Sequence, residues 1–364
     1  MKKICFVTLS IIFVLLIQNK LCFSQTIRLI DKIPIEENSL LVSGSFVVLE
    51  NGNFIFADIK DENNQFKIIN EKGKIIKAWG KMGPGPGEFG GVAYIDYQFP
   101  FLAAFDAGKK CVHVFEANQD EFQKKYEILA WEADSFIKIY NGNVLMEGYI
   151  VSPKERKYII FKRDFLGKNI EYILPLEYRY GGKSQSEYEK TREGISGVSY
   201  RGATDIYGDT LFYVSDVRLK IIKIDMKTGK IEIFGKEPRN FHSLVIDQKT
   251  RNEFLNPQTG RKVIEEILNK FSFVGGIFAD KDFVGVIYLN REKKVQSDLY
   301  FVAYFQIYDH SGKLLDEGQL KEFYSEEKYV PLFYQKEAGY LYLLAWISNE
   351  SSLKYMIYKY QIKL

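Results

Sequence analysis

The sequence predicts an all-β protein, a six-bladed β-propeller of four-stranded antiparallel blades closed by its N-terminal strand and carrying one helical insertion. Three observations predict it. The apolar segments are short and rich in Val, Ile, Phe and Tyr, with aromatic residues at 15%, which is the composition of pleated, half-buried strands. A unit of strand, tight turn and strand recurs six times. After most copies there is room for two more strands, giving blades of about 45 residues.

The chain of 364 residues opens on Lys2 and Lys3, an apolar run from Ile4 to Ile17, and then Gln18-Asn19-Lys20. The run is shorter than the roughly 20 residues that span a bilayer, so residues 1–24 read as a signal peptide cleaved after Ser24. Cys22 raises a lipidated N-terminus as the alternative, but Asn19-Lys20-Leu21 lacks the small residues of a lipobox. The expected location is the periplasm, the cell envelope or the medium, with no transmembrane segment left after cleavage. Residues 25–364 then form a single propeller domain.

Lys and Arg number 50 against 47 Asp and Glu, and Lys2, Lys3 and Lys20 of the leader account for the whole excess. A neutral mature chain lacks the basic surplus that binding a phosphate backbone requires, which excludes nucleic acid as the expected partner. Cys5 and Cys22 also lie in the leader, leaving Cys111 alone in the mature chain. No intramolecular disulfide can form, so burial and strand pairing must hold the fold. Cys111 lies in the strand Lys110–Phe115 and reads as a buried, inert thiol.

The six units begin as SFVVLENGNFIFAD from Ser45, GVAYIDYQFPFLAAFD from Gly91 and SFIKIYNGNVLMEGY from Ser135, then GATDIYGDTLFYVSD from Gly202, GGIFADKDFVGVIYLN from Gly275 and VPLFYQKEAGYLYLLAW from Val330. Asn51-Gly52 and Asn141-Gly142 are strong hairpin signals, because both central residues of that turn need positive φ. In three units the second strand ends on an aspartate, Asp58, Asp106 or Asp216, followed by a loop and a third strand. A second hairpin signal, Asn or Asp followed shortly by Gly-Lys, recurs at 70–74, 164–168, 225–230 and 309–313 and leads to a fourth strand.

Spacing between units lengthens late in the chain and places two insertions, about 176–198 and about 238–270. The second ends in TGRKVIEEILNKF, where Val263, Ile264, Ile267, Leu268 and Phe271 recur at helical spacing. Unit six ends after its third strand. Thr26–Ile33 alternates as a strand and is left over, so it is expected to supply the missing outer strand and remove an open edge.

The strand ending in Asp, the loop, the apolar third strand and the Gly-Lys hairpin, together with GKMGPGPGEF from Gly80, resemble the NHL-type six-bladed propellers exported by bacteria. The resemblance spans nearly the whole mature chain, but its motif is specific at units one, two and four. Unit three ends its second strand in Gly148-Tyr149 and unit five in Leu289-Asn290. What the resemblance implies is a ring with a central funnel whose ligands differ from member to member, so fold does not fix function.

Gly80–Gly90 lacks the spacing and the Lys-Ser/Thr of a P-loop, and Pro84 and Pro86 remove backbone donors, so it reads as a connector between blades. His113, His242 and His310 fall in different layers of different units, which argues against a zinc centre or a Ser-His-Asp triad. A calcium-dependent, lactonase-like hydrolase or a lyase using the funnel is the alternative function, with Asp96, Asp205 and Asp280 as the inner-strand acids it would need. The repeated Asp58, Asp106 and Asp216 read instead as structural carboxylates accepting N–H bonds from the following turn. Arg179, Tyr180, Tyr200, Arg201 and Arg239 cluster around the insertions, where aromatic faces and guanidinium forks suit a ligand. The expected function is accordingly an exported, non-catalytic binding module for a protein, peptide or carbohydrate, with no cofactor.

Overall fold

In a computed structural model, the described residues are 26–364 apart from 37–38, 119–120, 181–201, 216–217, most of 243–269, 294–298, 327–329 and 350–351. They form six four-stranded antiparallel sheets. Blade 1 is β2 (Ser43–Val48), β3 (Phe54–Asp58), β4 (Phe66–Ile69) and β5 (Ile75–Trp79). Blade 2 is β6 (Val92–Gln98), β7 (Phe101–Asp106), β8 (Cys111–Asn118) and β9 (Glu121–Leu129). Blade 3 is β10 (Ala133–Tyr140), β11 (Asn143–Val151), β12 (Lys157–Asp164) and β13 (Ile170–Pro175). Blade 4 is β14 (Ala203–Tyr207), β15 (Thr210–Ser215), β16 (Arg218–Asp225) and β17 (Ile231–Phe234), and blade 5 is β18 (Phe273–Ala279), β19 (Val284–Lys293), β20 (Leu299–Tyr308) and β21 (Leu314–Gln319).

Blade 6 takes β22 (Leu332–Gln335), β23 (Tyr340–Asn349) and β24 (Ser352–Ile362) from the end of the chain and β1 (Ile27–Pro34) from its start. β1 runs antiparallel to β24 from Ile27 opposite Ile362 to Pro34 opposite Met356, with one bulge between Leu29 and Asp31. The expected closure by the N-terminal strand is thus observed.

The inner strands β2, β6, β10, β14, β18 and β22 stand next to one another in that order, and β22 returns to β2, completing the ring. Each core cluster lies between neighbouring blades. Phe46, Phe54 and Phe56 of blade 1 pack with Tyr342 and Ile357 of blade 6, and Val47, Ile55 and Phe66 pack with Ile95, Leu102 and Phe115 of blade 2. The approach at the centre is close enough that a Cβ on Gly44 would stand 2.1 Å from the Ala93 carbonyl oxygen, so a side chain there would force blades 1 and 2 apart.

The Gly-Lys hairpins form as expected. Asp309 Oδ1 accepts the Ser311 and Lys313 N–H groups, and Gly312 takes φ 90°. Asn141 and Gly142 both have positive φ, whereas in the first unit only Gly52 does, because the Leu49 N–H donates to the Asn53 carbonyl and lengthens that turn. Residues 1–25 and Asp216 lie outside the described residues. The helical insertion falls mostly on residues outside them as well, and of the described residues in that stretch 252–253, 260, 262, 266 and 270 are helical; the first insertion opens on a short 3-10 helix, Leu176–Tyr180.

Removing β1 would expose the β24 edge and the surfaces covered by the buried Ile27 and Ile33, two side chains worth about 3–6 kcal/mol together. A chain starting at Ile35 is expected to unfold at a clearly lower urea midpoint and to self-associate in size-exclusion chromatography. An unchanged midpoint with monomeric elution would show that β1 does not close the ring.

Candidate functional site

The corner where each second strand ends is built from the residues that the repeat singles out. Asp58 is fully buried and accepts the Leu41 and Val42 N–H groups at 2.8 and 2.9 Å, both in the segment leading into β2. Lys67 on β4 reaches Asp58 at 2.7 Å, Asp61 at 2.8 Å and the Ser39 carbonyl at 2.7 Å. Asp106 accepts Gly90 N–H at 2.7 Å, from the segment leading into β6, and Lys109 N–H at 2.9 Å. The donors therefore come mainly from the connector that precedes the blade, 16 or 17 residues earlier, and only Lys109 belongs to the following turn that the sequence suggests.

Two of the three units without the aspartate, units five and three, meet the same need with other groups. Asn290 holds the Asn240 carbonyl at 2.8 Å and accepts the Ser272 hydroxyl at 2.6 Å. Glu147, next to Gly148, accepts the Ser135 and Tyr213 hydroxyls and the Gly202 N–H.

The ring encloses a channel with two chambers, one of about 530 Å³ and one of about 800 Å³. The smaller is lined by the starts of the inner strands, among them Gly202–Asp205 and Phe273–Ile277, so both long insertions lead into it. The larger is lined by the hairpins at the opposite end, including Asn141, Gly208 and Glu337. Asp96, Lys138, Asp205, Phe333 and Tyr334 border both chambers and form the waist.

Two residues before the last strand pair of each inner hairpin stand Phe46, Asp96, Lys138, Asp205, Ile277 and Phe333, in blade order. The waist is charged across blades 2, 3 and 4 and apolar across blades 5, 6 and 1. Lys138 lies 3.0 Å from Asp96 and 3.7 Å from Asp205, and Lys336 lies 3.6 Å from Asp205 and donates to the Ile206 carbonyl. Burial works against the Lys138 ammonium, but the two carboxylates outweigh it and push the group up to about 12. Each aspartate also ties its blade to the next, Asp96 accepting Ile139 N–H and Asp205 accepting Ala279 N–H, both at 2.8 Å.

Above the waist Thr204 is 6% exposed and lines the smaller chamber, and its hydroxyl has no hydrogen-bond partner among the described residues. A buried hydroxyl left in this way costs free energy.

The structure thus brings Asp96 and Asp205 together, as an acid pair bridged by an ammonium that the sequence reading did not include. Asp280 stands apart on the hairpin side, accepting the Tyr334 hydroxyl at 2.5 Å. Arg239 is exposed in a turn, Tyr200 and Arg201 lie outside the described residues, and Arg179 and Tyr180 end the 3-10 helix with side chains that are not described. The three histidines do not converge: His242 lies in a connector, His310 in a hairpin near the Phe283 carbonyl, and His113 inside blade 2.

The fold and its central channel define the class, a six-bladed β-propeller. No family model and no curated protein matches the chain. Among solved structures it is similar over 94% of its length to a crystal structure from Bacteroides fragilis described as a "Putative exported protein", with 97% of that chain covered, 16% identity and a TM-score of 0.57. A nidogen/laminin complex is similar over 75% of this chain and 78% of that one, at 8% identity and a TM-score of 0.39. At these identities the first likeness shows the fold. No helix among the described residues is long and apolar enough to cross a membrane.

Two measurements test the corners. Lys67→Met leaves the buried Asp58 without its cation, a loss of about 3–5 kcal/mol that urea unfolding should read. Burial tends to raise Asp61 and Asp106, but Lys67 and the Asn63 and Asn64 N–H groups at the first, and His113 and the Gly90 and Lys109 N–H groups at the second, hold both below the usual carboxylate range. Their stabilisation is complete above the unfolded value of about 4 and is lost as pH falls through the lower folded values. Stability should therefore drop below that pH, and less steeply in Asp106→Asn; an identical slope would remove Asp106 from the account.

Proposed function

We propose that this chain is an exported propeller of NHL type acting as a binding module, with a leader cleaved after Ser24 and its site in the smaller chamber. The observation that carries the reading is the two-sided waist, apolar across three blades and charged across the other three, at the floor of a chamber that Thr204 also lines. A ligand seated there meets Phe46, Ile277 and Phe333 on one side and Asp96, Lys138 and Asp205 on the other. The occupant is thus amphipathic, with an apolar body and a head that both donates and accepts hydrogen bonds. A chamber of about 530 Å³ falls within the usual range of small-molecule sites, and it also suits the end of a peptide. Arg179, Tyr180, Tyr200, Arg201 and Arg239 are retained as rim residues, on the connectors that enter this end of the ring.

The alternative, a calcium-dependent hydrolase or a lyase, would draw on the same carboxylates. Lys138 between them and Lys336 beside Asp205 already balance the two carboxylates, which favours the binding module.

A thermal-shift screen of short peptides with free termini and of oligosaccharides tests the proposal, because a ligand that binds only the native state raises its melting temperature. Compounds that stabilise the wild-type chain are expected to lose that effect in Thr204→Val and in Lys138→Met. Hits that stabilise both variants as well as the wild type would place the site elsewhere.

A further inference from the structure

Blades 1 and 2 solve the same corner differently. Lys67 stands opposite Phe56, two residues before Asp58, and His113 stands opposite Ala104, two residues before Asp106, so the two occupy equivalent positions. Lys67 closes on its aspartate at 2.7 Å. His113 Nε2 stops 3.5 Å from Asp106 Oδ2, and Cys111 Sγ lies 3.5 Å from the same nitrogen. The three donor atoms all lie within 4.8 Å of one another, and all three residues are buried, Asp106 at 0%, His113 at 1% and Cys111 at 2% exposure.

We infer that Asp106, Cys111 and His113 form a binding site for a thiophilic divalent cation, zinc by its donor set. Tetrahedral zinc with bonds of about 2.0–2.3 Å sets neighbouring donors about 3.3–3.6 Å apart, and the two separations of 3.5 Å to His113 Nε2 match it. The N–O separation is longer than a good hydrogen bond between the same atoms.

Charge supports the same assignment. One thiolate, one carboxylate and one neutral imidazole around a divalent cation sum to zero, which suits a fully buried position. Binding forms the metal–sulfur bond and releases the thiol proton to solvent.

The surroundings are those of a metal-ligating histidine. His113 Nδ1 makes no close hydrogen bond and faces Glu127 Oε2 at 3.4 Å, the place of a carboxylate that orients the ring while Nε2 binds the metal. The Gly80–Gly90 connector covers the trio. Phe89 packs edge-on against the His113 ring with centroids 5.0 Å apart, Gly90 N–H holds Asp106, and Lys109 ties the Gly85 and Glu88 carbonyls. The cation consequently enters as the chain folds or when this connector lifts.

The test is to refold the purified chain from urea with cobalt(II) or zinc chloride and remove free metal by desalting. The wild-type chain is expected to retain one equivalent and, with cobalt, to show thiolate-to-metal charge-transfer absorption in the near ultraviolet. Cys111→Ser should lose that band. His113→Lys copies the corner of blade 1, so it should fold and bind no metal, which separates lost ligation from lost structure. Glu127→Gln should keep the band and weaken zinc binding about 10-fold. The assignment is overturned if the wild-type chain refolded with metal retains none and shows no band, or if His113→Lys retains as much zinc as the wild type.

Discussion

Everything in this molecule depends on the pairing of β1 with β24. A blade buries its two faces only against its neighbours, so six blades in an open row would leave two apolar faces in water. The ring avoids this by closing, and the closing seam is a set of antiparallel backbone hydrogen bonds between the first and last strands of the chain. The meeting of three charges at the waist depends on the blades being held in the ring, since Asp96, Lys138 and Asp205 come from three of them.

Much of the architecture was legible because it rests on local chemistry. Asn-Gly turns, Gly-Lys hairpins and runs of β-branched and aromatic residues act within a few residues of themselves, and the leftover N-terminal strand is found by counting strands. The strand-end aspartates also stood out by their position. Their partners did not, since the N–H groups of Leu41, Val42 and Gly90 belong to connectors and a backbone donor leaves no mark in a sequence.

The site was less legible for the same reason. Asp96 and Asp205 could be picked as inner-strand acids, but Lys138 looks like any polar residue in an alternating strand, and it meets them across 42 and 67 residues of sequence. Thr204 adjoins Asp205 and carries no signal of its own; only enclosure by the ring leaves its hydroxyl without a partner among the described residues. In the sequence Cys111 reads as an inert thiol, Asp106 as a structural carboxylate and His113 as one of three scattered histidines. The register of β7 against β8 is what joins them, and a spacing of two residues along one strand was a signal that could have found the pair Cys111 and His113.

The corners of the blades carry a consequence for how such chains are recognised. One position is filled by Asp with Lys, by Asp with His, by Glu beside a glycine and by Asn, and each arrangement makes hydrogen bonds that anchor a connector or an inner strand. What recurs around the ring is a hydrogen-bonding geometry, which several side chains can supply, rather than a residue type. Divergence between whole proteins can follow the same course. A propeller can then be similar to a solved structure across 94% of its length at 16% identity, because the fold needs the geometry and several side chains supply it.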